Sequence, residues 1–240
     1  MPIELFLSPI MKPIVQAQSA LMGVHRSNSN YTPTIKNLLD NTHSYIVRKE
    51  FGTGSKTFSV FDNSDPNAPH SYEDRLYNMN RSRAVKGAYK MYMRGDDKPI
   101  GALRAGLRSN VLLLKTASGD ELELGWHVME HKVDAIDNYR TFQLSDGYSY
   151  QWTTKGQYLE RVLNAGQRDA EVRERVGQVR LHPNRRGFDL AINESEVHSL
   201  EMVVATALAC YIESWNTERA YGGIYDAKQT VPGVWWQRQT

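Results

Sequence analysis

NESEVHSLEMVVATALACYIESW, residues 193–215, is the stretch whose reading decides the fold. Val197, Leu200, Val203, Val204, Ala207, Leu208, Tyr211, Ile212 and Trp215 recur at helical spacing, and Met202, Ala205, Ala209 and Cys210 make the rest of the circumference nearly as apolar. A helix that is greasy on every side has to be surrounded. Asn193 is a suitable N-cap with Glu196 three residues on, and Glu194 and Glu196 suit the positive end of the helix dipole, so the spacing predicts a helix that starts at residue 193. Between Glu201 and Glu213 nothing is charged, yet that window is much shorter than the roughly 20 apolar residues of a bilayer span. A buried core helix is the expectation.

Working outward, the preceding chain changes texture at His43. Short runs rich in β-branched and aromatic residues follow, each bounded by Gly, Asp, Asn or Pro. HSYIVRKEF (43–51) and KTFSVFD (56–62) flank Gly52-Thr53-Gly54-Ser55 and read as a hairpin. Further runs are 75–79, 87–94, 99–107, 111–116 and 121–126, then 138–144, 148–153, 157–163, 177–181 and 187–192. In the run 121–126, Leu122, Leu124 and Trp126 alternate with Glu121, Glu123 and Gly125, which predicts a dry face and a wet face. About twelve strands precede the one apolar helix, with none of the strand–helix alternation of a parallel sheet.

A sheet of twelve antiparallel strands must protect its edges, and closure into a barrel removes them. A barrel that wide cannot fill its lumen with strand side chains alone, because diameter grows with strand number. Threading the apolar helix through it answers both needs. The predicted class is therefore mainly β: an antiparallel closed barrel of about twelve strands enclosing a C-terminal hydrophobic helix. Residues 1–42, with several prolines and asparagines and one short helical possibility at 14–21, read as a partly ordered arm; 43–216 form the barrel; and 217–240 dock on it as a tail.

Composition narrows little. A chain of 240 residues with 40% hydrophobic and 23% charged residues is ordinary for one soluble domain, and a net charge of +2 gives no reason to expect nucleic acid as a partner. Cys210 is the one cysteine and sits in the apolar helix, so a reducing, cytoplasmic setting is expected. The opening MPIELFLSPIMKPIVQAQSALMG lacks a basic n-region and carries Pro2, Pro9 and Pro13, so it is not read as a signal peptide. Three glycosylation sequons, at Asn30, Asn80 and Asn193, are then chance matches.

Element order, together with Lys98-Pro99-Ile100-Gly101 entering a strand, Gly119-Asp120-Glu121-Leu122 at a hairpin and the helix 199–215, resembles the tubby C-terminal, phospholipid scramblase and LURP-one superfamily over roughly residues 43–216. The resemblance implies a closed barrel around a central helix and contact with membranes or phosphoinositide headgroups. Tubby-like domains grip the headgroup with paired basic residues on adjacent strand positions. The proline-rich arm, the cysteine-rich palmitoylated stretch and the acidic calcium segment of scramblases have no counterpart in this sequence.

Several groups could carry chemistry. Arg81 and Arg83 are two apart and share a face in an extended chain, so with Lys86, Arg104 and Arg108 they form a candidate anion site, or else a solvated loop. His182-Pro183-Asn184-Arg185-Arg186 is either a second anion pocket or plain turn chemistry. His127 and His131, with Asp134 and Asp137 behind them, suit zinc only if helical; in a strand they lie too far apart for one ion. His198 reads as a capping or core histidine. Tyr148, Tyr150, Trp152 and Tyr158 could line a pocket for a flat ligand but equally face a core. Trp235-Trp236 offer a membrane, partner or self-association surface.

No Walker A loop, GxGxxG, GxSxG elbow, HExxH or paired-cysteine motif occurs. The expectation is a non-enzymatic module, without cofactor, that binds anionic lipid headgroups or a protein partner at the cytoplasmic, peripheral face of a membrane. The alternative is an enzyme or small-molecule carrier working from a pocket at one barrel mouth, with the histidines as acid/base groups.

Overall fold

The computed structural model describes residues 24–26, 33–37, 41–50, 57–65, 70–82, 87–106, 109–117, 119, 121, 123–133, 137–167, 170–183, 186–197 and 199–216. Two short strands come first, β1 (Val24–Arg26) and β2 (Thr34–Lys36). Twelve follow in the period-two texture of the sequence. They are β3 (His43–Lys49), β4 (Phe58–Asp62), β5 (Tyr77–Arg81), β6 (Ala88–Met93), β7 (Gly101–Arg104) and β8 (Ser109–Leu113). β9 (Gly125–Val133), β10 (Asn138–Gln143), β11 (Ser149–Thr153), β12 (Tyr158–Val162), β13 (Val172–Leu181) and β14 (Gly187–Ile192) complete the set.

Each of these twelve pairs antiparallel with the next in the chain, and β14 returns to β3 in a register running from Gly187↔Arg48 to Ile192↔His43. The sheet therefore closes on itself, which leaves no edge exposed along the ring. β9 and β13 outrun their neighbours β8 and β14. The surplus backbone is met by the two short strands, β1 lying parallel to His131–Val133 and β2 parallel to Val172–Glu174.

Inside the ring, alternate residues form rows around the lumen. Val47 stands opposite Val60, Val60 opposite Tyr77, Met79 opposite Met91 and Leu103 opposite Val111, and all of them are buried. The helix α1 (Leu200–Cys210) fills the space they surround, and a wider π-type turn carries it on through Tyr211–Trp215. Every residue from Glu201 to Cys210 is buried. Strands from several sides of the ring reach it: the Phe58 and Phe188 rings pack on Tyr211 at 6.0 and 5.3 Å, and Trp152 sits edge-on to Trp215 at 5.5 Å. The lone hydroxyl in the middle of the helix has a partner, since the Trp152 indole donates to Thr206 Oγ1 over 3.0 Å. Among the described residues no helix is long and apolar enough to cross a membrane.

Three boundaries depart from the sequence reading. The helix is capped by Ser199, whose hydroxyl accepts from the Met202 amide, and not by Asn193. Residues Glu194–Glu196 form a separate 3₁₀ turn that crosses the barrel mouth, and its carboxylates bind strand residues: Tyr45 donates to Glu194 and Arg161 to Glu196. A chain leaving β14 at the wall must first reach the axis, so the descent starts six residues late. β9 begins at Gly125 instead of Glu121, and its faces are the reverse of those expected: Met129 and His127 point inward while Trp126, Val128 and Leu124 are exposed. β13 begins at Val172, five residues before the run expected at 177–181. The expected turn at 52–55, the helical possibility at 14–21 and the tail 217–240 lie outside the described residues.

Closure depends on a tight approach where β14 starts. Gly187 has φ +144°, and a Cβ there would lie 1.9 Å from the Val47 carbonyl oxygen. Gly187→Ala is expected to destabilise the barrel by about 3 kcal/mol or more, read as a lowered midpoint in urea unfolding; an unchanged midpoint would show that the β14–β3 seam is slack.

Candidate functional site

An antiparallel ring sends alternate connections to opposite ends. The end where α1 enters receives the links β4–β5, β6–β7, β8–β9, β10–β11, β12–β13 and β14–α1, and the end where it finishes receives the other six. Among the described link residues, the finishing end holds two Lys/Arg and two Asp/Glu, whereas the entry end holds four Lys/Arg and eleven Asp/Glu. A chain of nearly zero net charge thus has one distinctly acidic end.

The two ends use their charges differently. At the entry end several carboxylates are committed to the fold. Glu201 accepts from the Tyr77 hydroxyl at 2.9 Å and the Ala117 amide at 2.8 Å, Glu123 from the Ser145 amide at 2.8 Å, and Asp146 from the Tyr150 hydroxyl at 2.6 Å. Burial, followed by the Asp146 hydrogen bond, pushes the Tyr150 phenol well above its usual range. At the finishing end Arg81 closes β5 and Arg104 closes β7, and among the described residues neither forms an ion pair. Arg81 shares the inward face with Tyr77 and Met79 and stands opposite Tyr89, whose phenol is raised by burial against the pull of the arginine charge. Arg104 is exposed on the outer face, and Arg186 is exposed before β14, its carbonyl accepting from the Lys49 amide at 2.7 Å.

Of the basic residues singled out from the sequence, the described ones, Arg81, Arg104 and Arg186, therefore belong to this one mouth. Arg83, Lys86 and Arg185, with Arg108, lie outside the described residues. His182 does not join them as a free cationic group, because its Nε2 lies 2.7 Å from Asp189 Oδ1 across the hairpin. His198 and Trp235-Trp236 also lie outside the described residues.

Beneath the mouth is a cluster that the sequence reading missed. Arg140 on β10 donates to Glu213 in the turn after α1, Ser109 Oγ donates to the same carboxylate at 3.0 Å, and His131 stands opposite Arg140 on β9. Burial pushes the Glu213 carboxyl up, with Arg140 and Ser109 pulling against it, and it pushes the nearby Cys210 thiol up, which keeps that sulfur unreactive. The missed signal was the inward phase of Arg140, two positions before Phe142.

His127 and His131 lie on one extended strand, so their Cα atoms are about 13 Å apart at roughly 3.3 Å per residue. The helical spacing that would let both hold zinc is not the one formed. His127 is pinned between the carbonyls of Glu123 at 2.7 Å and Gln143 at 3.3 Å, Asp137 accepts from the Asn138 and Lys155 amides, and Asp134 lies outside the described residues. Among the described residues no group of three potential ligands converges. The aromatic run divides: Tyr150 and Trp152 enter the core from β11, while Tyr148, in the turn before it, and Tyr158, on β12, lie under Arg161 and Arg175 at 5.0 and 3.8 Å.

No protein-family model, no curated protein and no solved structure matches this chain.

The half-buried pair gives one measurable expectation. Arg140→Ala leaves the Glu213 carboxyl without its ion-pair partner and is expected to cost about 1–3 kcal/mol, whereas Arg140→Met with Glu213→Leu is expected to recover most of it in chemical unfolding. His131 gives another. Burial, and then the charge of Arg140, hold its pKa below the usual imidazole value, so the unfolded chain takes up this proton before the folded one. Stability from this group is complete above about pH 6.5 and falls as pH drops through the lowered value. His131→Asn is expected to flatten the acid side of the melting-temperature profile relative to the parent chain.

Proposed function

We propose that this protein is a non-enzymatic, tubby-like barrel that docks its basic mouth on an anionic membrane surface and holds phosphorylated lipid headgroups there. One observation carries the reading: Arg81 and Arg104, unpaired among the described residues, and the exposed Arg186 share one end of the barrel, while the acidic residues lie mostly at the opposite end, where Glu201, Glu123 and Asp146 are taken up by structural hydrogen bonds. A charged mouth over low-dielectric walls concentrates opposite charge, and arginine forks suit phosphate oxygens. The resemblance to tubby-like domains supports the same ligand class and a peripheral membrane location.

The test is flotation with vesicles of phosphatidylcholine alone, with added phosphatidylserine, and with added phosphoinositide. Binding is expected only with the anionic lipids and is expected to fall as salt rises. At about 1 kcal/mol per cation near the surface, Arg81→Gln with Arg104→Gln should weaken it roughly thirty-fold. Equal flotation by parent and variant, or none with any anionic lipid, would refute the proposal.

A further inference from the structure

The outer wall between β6 and β9 carries an ordered pattern that nothing inside the barrel requires. Cross-strand register places Lys90, Ala102, Leu112 and Trp126 in one row, and Ala88, Arg104, Asn110 and Val128 in the next row towards the basic mouth. Trp126 is 63% exposed and Val128 58%, and Leu114 at 55% and Leu124 at 38% extend the apolar column towards the acidic end. Lys90 and Arg104 are exposed beside that column and on the same face. A strand phase that points tryptophan and valine at water and histidine at the lumen is the opposite of what burial alone would select.

We propose that this wall is the side on which the barrel leans against the bilayer, with Trp126 and Val128 seated at the headgroup level and Lys90 and Arg104 on lipid phosphates. The inference rests on the membrane reading above and adds which flank of the protein makes contact. Three features select an anionic lipid surface as the occupant. Tryptophan and valine next to lysine and arginine in the same rows is the composition that interfacial zones favour, with aromatic rings at headgroup depth and basic stems reaching outward. The wall is the convex outside of a barrel, whereas a protein anchor residue is held in a fitted pocket; a fluid surface accepts a convex shape. Arg104 belongs both to this wall and to the rim of the basic mouth, so the apolar and cationic areas are continuous. Glu130 follows Val128 on this face at its mouthward end, with Thr141 opposite, and marks where the apolar column stops.

The experiment uses the full chain with phosphatidylcholine–phosphatidylserine vesicles containing lipids brominated at different depths. The Trp126 signal is taken as the difference between the parent and Trp126→Phe. Quenching of that signal by shallow bromines is expected, together with about tenfold weaker vesicle binding for Trp126→Ser/Val128→Ser at high salt, where the electrostatic share is screened. Both side chains are exposed, so an unchanged melting temperature in the double variant shows that the fold is intact. Vesicle binding with no Trp126 quenching and no loss in the double variant overturns this inference and leaves the basic-mouth reading standing. Absence of binding to any anionic vesicle removes both. A parent chain that light scattering finds dimeric and a Trp126→Ser variant that it finds monomeric would assign the wall to a second copy and also overturn the proposal.

Discussion

The mutual need of a wide barrel and an apolar helix governs the rest of this structure. Twelve strands enclose more space than their own inward side chains can fill, and Leu200–Cys210 has no face it can present to water. Either element alone would be unstable in solution, and together each removes the other's defect. The alanines at 205, 207 and 209 let the wall approach closely, while Tyr211 and Trp215 fill the wider space beneath them against Phe58, Phe188 and Trp152. Polar atoms inside this assembly are tolerated where they are paired, as with Thr206 and the Trp152 indole.

Polarity follows from the same closure. In a ring of antiparallel strands, successive links alternate between the two ends, so acidic links spaced along the chain come together at one end in space. The acidic pole is stitched shut by its own hydrogen bonds around the entry of the helix, as Glu194, Glu196 and Glu201 bind Tyr45, Arg161 and Tyr77. Arg81 and Arg104 close their strands at the end where the half-buried Arg140–Glu213 pair sits, one carboxylate balancing one arginine. Arg81 and Arg104 are thereby separated from the structural carboxylates of the opposite end.

Much of the fold was legible because turn residues punctuate the chain: Gly95-Asp96-Asp97, Ser145-Asp146-Gly147 and the His182–Arg186 hairpin each separate strands where expected. Phase was less secure. Leu122, Leu124 and Trp126 alternate as well as His127, Met129 and His131 do, and only packing of Met129 into the core selects the second set. The cap moved from Asn193 to Ser199 for a similar reason, since both residues are competent caps and the distance from wall to axis chooses between them. Of the candidate site, the individual cations were readable, but that Arg81, Arg104 and Arg186 share one mouth was not.

By itself the sequence determined the element types, their order and the requirement that residues near 200–215 be enclosed, because periodicity and apolar content are local properties of the chain. Only the tertiary structure decided which strand faces look inward, which links share an end and which charges are already partnered. Those facts depend on distances between residues far apart in the chain, such as Arg140 and Glu213 or His43 and Ile192, and distance across a closed barrel is set by the ring as a whole.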